Sequence, residues 1–411
     1  MKTLFGIILG ISLMQSGGAD GATQTPPAQL VAAIHTEVLL EGFNGEFCWF
    51  HPRAASIPPS GEAGKPAVLL TMQKWLVSAS DYFSGLSTLY SPDLGGDWQG
   101  PREQPALGWR EEAGGITVGV CDVTPGWHGP TGTVLGIGHT VRYKGGHLMG
   151  DPRPRETAYA VYDPETRGWT PWRVVEMPDN EKFFSAGCGC GQWLVKNDGT
   201  LLVPFYFKRA GSKTYASAVM HCAFDGETLR YLEHGSEMAI GQPRGLYEPS
   251  ITTFGGRYFM TLRNDVKAYV ASGGDGLHFD TPKPWTFEDG QLLGSHNTQQ
   301  HWVTHSNGLF LAYTRKDANN DHVPRHRAPL FLARVDPERL VVLRDTERVL
   351  IPNRGAMLGN FGVCTVNEDE TWVTVGEGMY KPEVTKYGAD GRVYAARVRW
   401  SRPNALARHL P

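Results

Sequence analysis

The chain has 411 residues and a formal net charge of -3, enough for one large core or two ordinary ones. Its lysines and arginines are dispersed rather than clustered, which argues against a nucleic-acid surface. Fifty glycines, 28 prolines, 12 tryptophans and 15 tyrosines describe a turn-rich chain with aromatic surfaces of the kind that suits sugars.

At the N-terminus Lys2 precedes the apolar run LFGIILGISLM, and small residues follow in QSGGADGA. That is the order of a secretory signal. Residues 1–22 are expected to be a leader, and 23–411 a single domain exported to the periplasm or beyond. The apolar run is too short to span a bilayer comfortably, and no later stretch is long and apolar enough, so no membrane partner is expected.

Strand signals then recur along the chain, as in AVLLTMQKWLV, TGTVLGIGHTVRY, QWLVKNDGTLLVPFYF, SITTFGGRYFMTLRND and HWVTHSNGLFLAYTR. Asn-Asp-Gly, Ser-Asn-Gly, Gly-Gly and Asp-Gly separate paired runs, which is hairpin chemistry. Sustained helical periodicity is hard to find. The pattern predicts an all-β chain of consecutive hairpins. In a chain of this length it points to a β-propeller, with blades of roughly 40–50 residues. Seven blades with generous loops fit best, and six is the alternative.

The stretch SPDLGGDW, Ser91 to Trp98, has the spacing Ser-x-Asp-x-Gly-x-x-Trp of an Asp-box, the turn between outer strands of a propeller blade. Its Asp can accept backbone N–H groups, its Gly supplies an unusual φ, and its Trp packs between blades. A degenerate second copy, SGGDGLHF, begins at Ser272. Both are read as structural staples.

The six cysteines are too sparse for a disulfide scaffold. Cys48, Cys121, Cys222 and Cys364 lie in strand-like runs and read as small buried hydrophobes. Cys188 and Cys190, in SAGCGCGQW, read as part of a glycine-stabilised bend.

LYEPSITTFGGRYFMTLRND, the run from NTQQHWVTHSNG to RHRAPLFLARVDPERL, RGAMLGNFGV, GIGHTVRY and FCWFHPRA carry a resemblance. They resemble the seven-bladed propellers that include ulvan lyases and the rhamnosidases releasing rhamnose from glucuronate. The resemblance implies a secreted, monomeric enzyme acting on an anionic polysaccharide or oligosaccharide, as polysaccharide lyase or glycoside hydrolase, with elimination placed first. It implies no cofactor for the chemistry, and a possible structural zinc or calcium ion.

Elimination needs a base for the C5 proton of a uronate, a cation for its carboxylate and an acid for the leaving oxygen. His128, His139 and Tyr206 are the proton carriers, with Arg142 or Arg209 as clamp and His147 as a further approach. His221 stands where relatives carry Arg, which puts neutralisation of the carboxylate in doubt. The hydrolase alternative centres on His51 in FHPR, with Arg53 beside it. Any of these histidines could instead be a packed core or turn residue.

Downstream, His301, His322, His326 and Cys364 offer N and S ligands for a metal. His301 and His305 are four apart, about 13 Å in a strand, and cannot share one ion there. Arg325, His326 and Arg327 alternatively form a basic rim for an acidic sugar, with Asn297, Gln299 and Gln300 for its hydroxyls. A sialidase reading rests on Glu248 in YEPS and Arg263 in TLRND, with Glu377 and Tyr380 available late in the chain. FHPR replaces the usual Phe/Tyr-Arg-Ile-Pro, so a full arginine triad does not assemble from motifs. The last alternative is a glycan-binding propeller without catalysis.

Overall fold

The computed structural model describes residues 29–59, 64–379 and 382–409, in which every regular element is a strand or a short 3-10 turn. The expected leader and Tyr380 lie outside these residues. The strands assemble into six antiparallel sheets. Phe47–Ile57, Ala67–Leu76, Phe83–Ser91 and Gln99–Glu103 form the first. The second is built on Ile116–His128, Thr133–Lys144 and Thr157–Asp163, and the third on Ser185–Gly187, Leu201–Lys208, Ala216–Phe224 and Leu229–His234. Tyr247–Phe254, Arg257–Arg263, Tyr269–Gly273 and Lys283–Pro284 make the fourth. His301–His305, Gly308–Tyr313, Leu330–Asp336 and Val341–Val342 make the fifth. A tight turn returns the chain beside itself, so each sheet is a meander.

The sixth sheet joins the two ends of the described chain. Phe361–Thr365, Glu370–Gly376 and Val393–Trp400 are completed at the outer edge by Val31–Leu40. Ile34 pairs with Val398, Thr36 with Ala396 and Val38 with Tyr394. The innermost strands meet around an axis: Phe47–Ile57 packs against Phe361–Thr365 and Ile116–His128, and His301–His305 against Tyr247–Phe254 and Phe361–Thr365. The architecture is a β-propeller. The described strands make six sheets, and the preferred seventh is not among them. The extra length goes into long strands, such as Ile116–His128 and Thr133–Lys144, and into the loops.

Apolar wedges fill the spaces between blades. One gathers Val303, Leu330, Phe361, Val373 and Val375, another Leu135, Leu201, Phe205 and Met220, and a third Phe259, Trp285, Trp302 and Leu311. Burial of one such side chain contributes about 1.5–3 kcal/mol. All six cysteines are unpaired; Cys222 lies in the second of these clusters, and Cys48 in another with Phe50 and Trp75, as small hydrophobes.

The outer turns are stapled as the Asp-box predicts. Ser91 Oγ accepts the Gly95 N–H at 2.7 Å, Asp93 Oδ1 accepts the Asp97 N–H at 2.8 Å, and Trp98 packs 6.2 Å from Trp372 of the sixth sheet. The same carboxylate staple recurs at Asp163, Asp225, Asp275 and Asp336, between the outer strands of the next four sheets. Asp275 belongs to the degenerate copy. The other three lack the Ser and Trp frame, so the sequence pattern passes over them.

Candidate functional site

Three innermost strands break their pairing near one another. The register shifts between Phe50 and Arg53, between Cys121 and Thr124, and between Tyr247 and Ser250. At each break one residue is left-handed: His51 at φ 55°, Asp122 at 55° and Glu248 at 47°. His51 and Glu248 precede prolines, which restricts them further to extended backbone and makes the strain greater. Cys190 at φ 63° and Asn297 at 49° sit beside the inner strands of the third and fifth sheets. A bulge re-aims a side chain, and backbone of this kind costs about 1–3 kcal/mol per residue. Five sheets bear that cost to turn a polar group toward a shared centre.

Asp122 is the hub. Its Oδ1 lies 3.0 Å from His51 Nε2 and 3.3 Å from Arg53 Nη2, and its Oδ2 lies 3.5 Å from Cys121 Sγ and 3.9 Å from His139 Nε2. Asn360 Nδ2 is 2.7 Å from His51 Nε2, while Asn360 Oδ1 accepts from Arg327 at 3.3 Å. Arg327 also donates to the Asn297 carbonyl, and the Asn297 side chain accepts from Arg263 Nη2 at 2.7 Å. Arg263 Nη1 grips both oxygens of Glu248 at 2.7 and 2.5 Å. On the remaining side Arg155 Nη1 donates to the Tyr206 hydroxyl at 2.6 Å, and Tyr206, Tyr215 and Tyr247 pack together.

Burial sets the protonation states. It pushes the His51 imidazole down to about 4 against the pull of Asp122, and with the Arg155 charge it holds His139 well below its ordinary value. Burial would raise Asp122, but His51 and His139, charged once acid pH protonates them, and Arg53 at every pH outweigh it and hold the carboxylate below its ordinary value. Both imidazoles are therefore proton acceptors at neutral pH. Burial keeps Tyr206 a protonated phenol, whereas at Tyr215 the Arg155 charge, the Ser185 hydroxyl and Lys208 overcome burial and lower the phenol. Burial and the neighbouring charges of Arg263 and Arg325 push Arg327 down to about 9.

Of the sequence candidates, His51, Arg53, His139, Tyr206, Glu248, Arg263 and Arg327 come together here. Others do not. His128 is a turn staple, its ring bonded to Thr131 Oγ1 at 2.8 Å and the Gly199 carbonyl at 2.9 Å. It lies six positions along the strand from Asp122, about 20 Å at the usual rise. Arg142 is consumed by Glu112 and Glu156 at 2.8 and 2.9 Å, and Arg209 is an exposed partner of Glu181. His221 bonds Thr200 and Glu233, and His147 is exposed on a hairpin. Gln299 donates to the Phe361 carbonyl and Gln300 bonds Ser295, Thr298 and Thr261, so both brace the frame. Glu377 is likewise structural, accepting the backbone N–H groups of Asp390, Gly391 and Arg392.

The proposed metal quartet does not assemble. His301 is bonded to Ser250 and packed on Phe361, and Cys364 bonds the Thr365 carbonyl. His322 packs on Tyr387 with ring centroids 4.4 Å apart, and His326 faces Asp321. Among the described residues, the group with metal-ligand spacing is His51, Cys121 and Asp122, and Arg53 already neutralises its carboxylate. Sequence reading missed Asp122, Arg155, Tyr215 and Asn360. Asp122 and Asn360 stand beside Cys121 and Phe361 in runs taken as plain core strands.

The glycines of SAGCGCGQW explain themselves here. A Cβ on Gly189 would overlap the His139 ring, and one on Gly187 would crowd His139 and Arg155.

Comparison with known proteins concerns the fold. No family model matches the chain, and no curated protein matches it significantly. Among solved structures, a Hadza microbial sialidase superposes with a TM-score of 0.59 at 14% identity, covering 86% of this chain and 66% of its own. Trypanosoma rangeli sialidase bound to the inhibitor DANA gives 0.59 at 14% identity, covering 90% and 60%. NanB sialidase from Streptococcus pneumoniae gives 0.55 at 10%, covering 89% and 70%. The fold is that of the sialidase-type β-propellers. The chain spans 60% to 70% of the length of those structures, and the likeness carries its architecture alone. Among the described residues no helix is long and apolar enough to cross a membrane.

Proposed function

We propose that this propeller cleaves a glycosidic bond beside an acidic sugar, with the sugar's carboxylate held between Arg263 and Arg327. One observation carries the reading. Four buried or half-buried guanidinium groups, Arg53, Arg155, Arg263 and Arg327, surround two carboxylates, Asp122 and Glu248. Buried cations in excess call for an anionic ligand. Arg327 is the clearest case, since the Arg263 and Arg325 charges outweigh that of Glu248 there and no carboxylate is bonded to it. The solved sialidases of this fold, one with sialic acid bound, support a glycan as substrate.

Elimination from a uronate stays first, on the division of labour between His139 and Tyr206. A neutral imidazole takes the C5 proton, the protonated Tyr206 phenol gives one to the leaving oxygen, and a clamp arginine neutralises the carboxylate. A hydrolytic reading rests on His51 and Asp122, 3.0 Å apart, as a base pair for water. Rhamnose release from glucuronate and removal of sialic acid are its two forms, and binding without cleavage is the remaining outcome. No metal is assigned a role in the chemistry. Export through residues 1–22 belongs to the same reading, and N-terminal sequencing of the secreted product tests it.

The deciding assay incubates the purified protein with ulvan, gum-arabic-type oligosaccharides and a sialyl-oligosaccharide. The ultraviolet absorbance of an unsaturated uronate marks elimination, and free monosaccharide without it marks hydrolysis. No new reducing end from any of them overturns the enzymatic reading.

A further inference from the structure

The two clamp arginines, Arg263 and Arg327, are buried like charges, and one residue bridges them. The Asn297 backbone carbonyl accepts from Arg327 Nε at 3.1 Å and from Arg327 Nη2, while Asn297 Oδ1 accepts from Arg263 Nη2 at 2.7 Å. A guanidinium can only donate, so both Asn297 oxygens are acceptors and the amide has one orientation. The Asn297 N–H is spent on the carbonyl of Asn264, the residue after Arg263, at 2.8 Å. Sequence reading gives Asn297 to sugar hydroxyls, but its oxygens are taken by arginines.

These bonds hold the residue in left-handed backbone, at φ 49°. Asn tolerates that conformation better than most residues, and strain of this kind survives where surrounding structure enforces it.

Buried like charges repel more strongly than exposed ones, and the usual remedy in this molecule is a carboxylate. Arg142 is braced by Glu112 and Glu156, Arg315 by Glu347 and Arg397 by Glu370. Glu248 serves Arg263 in the same way. Arg327 is treated differently. It donates to two neutral oxygens, the Asn297 carbonyl and Asn360 Oδ1 at 3.3 Å. A neutral brace orders a guanidinium without cancelling its charge. A carboxylate of the same shape would accept the same bonds and also supply the anion from within the protein.

We propose that Asn297 is the positioning residue of the anion seat, a neutral spacer that fixes Arg263 against Arg327 and reserves their positive charge for the ligand. The assignment rests on the acidic-sugar reading above and adds what makes the seat select an anion.

The test uses the full chain, with methyl glucuronide as the probe in calorimetry and thermal melting without ligand as a second measurement. Asn297→Asp keeps the shape and adds the charge. It should bind the glucuronide about tenfold more weakly or worse, yet melt no lower than the parent at pH 7, because the new carboxylate fills the seat. The charged groups facing Arg327 are Arg263, Arg325 and Glu248, together with the Tyr247 phenol. A carboxylate added to this set should move the loss of affinity expected near pH 9 in the parent to higher pH. Asn297→Gly keeps the left-handed backbone and the carbonyl bonds to Arg327 but loses the side-chain oxygen. It should bind about tenfold more weakly with the parental pH dependence. A merely structural Asn297 would show lost stability in Asn297→Asp and no move in the pH profile. The proposal is overturned if Asn297→Asp binds glucuronide as the parent does, or melts below it. If the parent binds no glucuronide, the acidic-sugar reading fails, and the neutral-brace assignment is then decided by the melting comparison.

Discussion

His51 Nε2 lies 3.0 Å from Asp122 Oδ1, and both residues are held in left-handed backbone at φ 55°. The contact joins the first and second sheets across the axis, and Asn360 of the sixth closes on the same nitrogen at 2.7 Å. An imidazole held neutral beside an ionised carboxylate is a proton acceptor with a fixed orientation. His51→Ala and Asp122→Asn should each lower kcat/KM by about 10²-fold or more if this pair carries proton transfer. Parental turnover in both, on whichever substrate is established, removes His51 from the chemistry.

The same burial makes stability depend on pH. His51 titrates near 4 in the folded protein against 6.5 when exposed, and His301 near 3. Between those values and 6.5 the unfolded chain binds more protons than the native one. Stability is therefore fully present above pH 6.5 and falls as pH drops toward 4 and 3. For His51 alone the loss is about 3 kcal/mol at full effect. Asp122 continues the trend below its ordinary 3.8. Melting temperature followed from pH 7 to pH 4 should fall steadily, and less steeply in His51→Gln. Equal slopes in the two proteins contradict the burial account.

Gly189 tests how tightly the site is seated. A side-chain carbon there would overlap the His139 ring and approach the Asp122 side chain at 2.9 Å. The Gly189→Ala variant should fold with a loss of about 1–3 kcal/mol from overpacking and a much larger loss of turnover, because His139 must move. His139→Ala in the Gly189→Ala background should restore most of the stability and none of the activity. If the single variant keeps parental kinetics, His139 is not positioned by this segment.

What the sequence reveals follows from how local each signal is. Hairpins announce themselves through Asn-Asp-Gly and Gly-Gly, so the all-β meander is legible, and SPDLGGDW names its turn. The blade count is not legible, because long strands such as Ile116–His128 absorb residues that an average blade length assigns to another blade. His51, Glu248 and Arg263 stand out in FHPR, YEPS and TLRND. Asp122 does not, since GVCDV reads as core until a bulge turns its carboxylate toward His51. His128 misleads in the opposite way. PGWHGP looks like an exposed site, and the ring instead pins a turn to Gly199.

Arg327 gives a prediction with a defined pH. Its guanidinium is held near 9 by burial and by Arg263 and Arg325. The charged form is required to hold an anion, so affinity for an acidic ligand should fall as pH rises through about 9, well below the ordinary arginine range. Binding of a uronate oligosaccharide measured from pH 7 to pH 10 checks this. Arg327→Gln should start weaker and lose the pH dependence. A flat profile in the parent would mean that the anion does not rest on Arg327.

The Asp-box separates stability from catalysis. Asp93 holds the Asp97 N–H and the Ser91 hydroxyl, and the turn seats Trp98 on Trp372 of the sixth sheet. None of these groups touches the axial cluster. Asp93→Ala leaves turn donors without their acceptor and should lower the melting temperature while kcat/KM stays at the parental value. Asp93→Asn keeps an oxygen in place and should fall between the two. Gly96→Ala should resemble Asp93→Ala, because its new methyl group would overlap the Asp93 carboxylate. Unchanged melting with reduced turnover in these variants would place the turn in the functional site and refute the staple role.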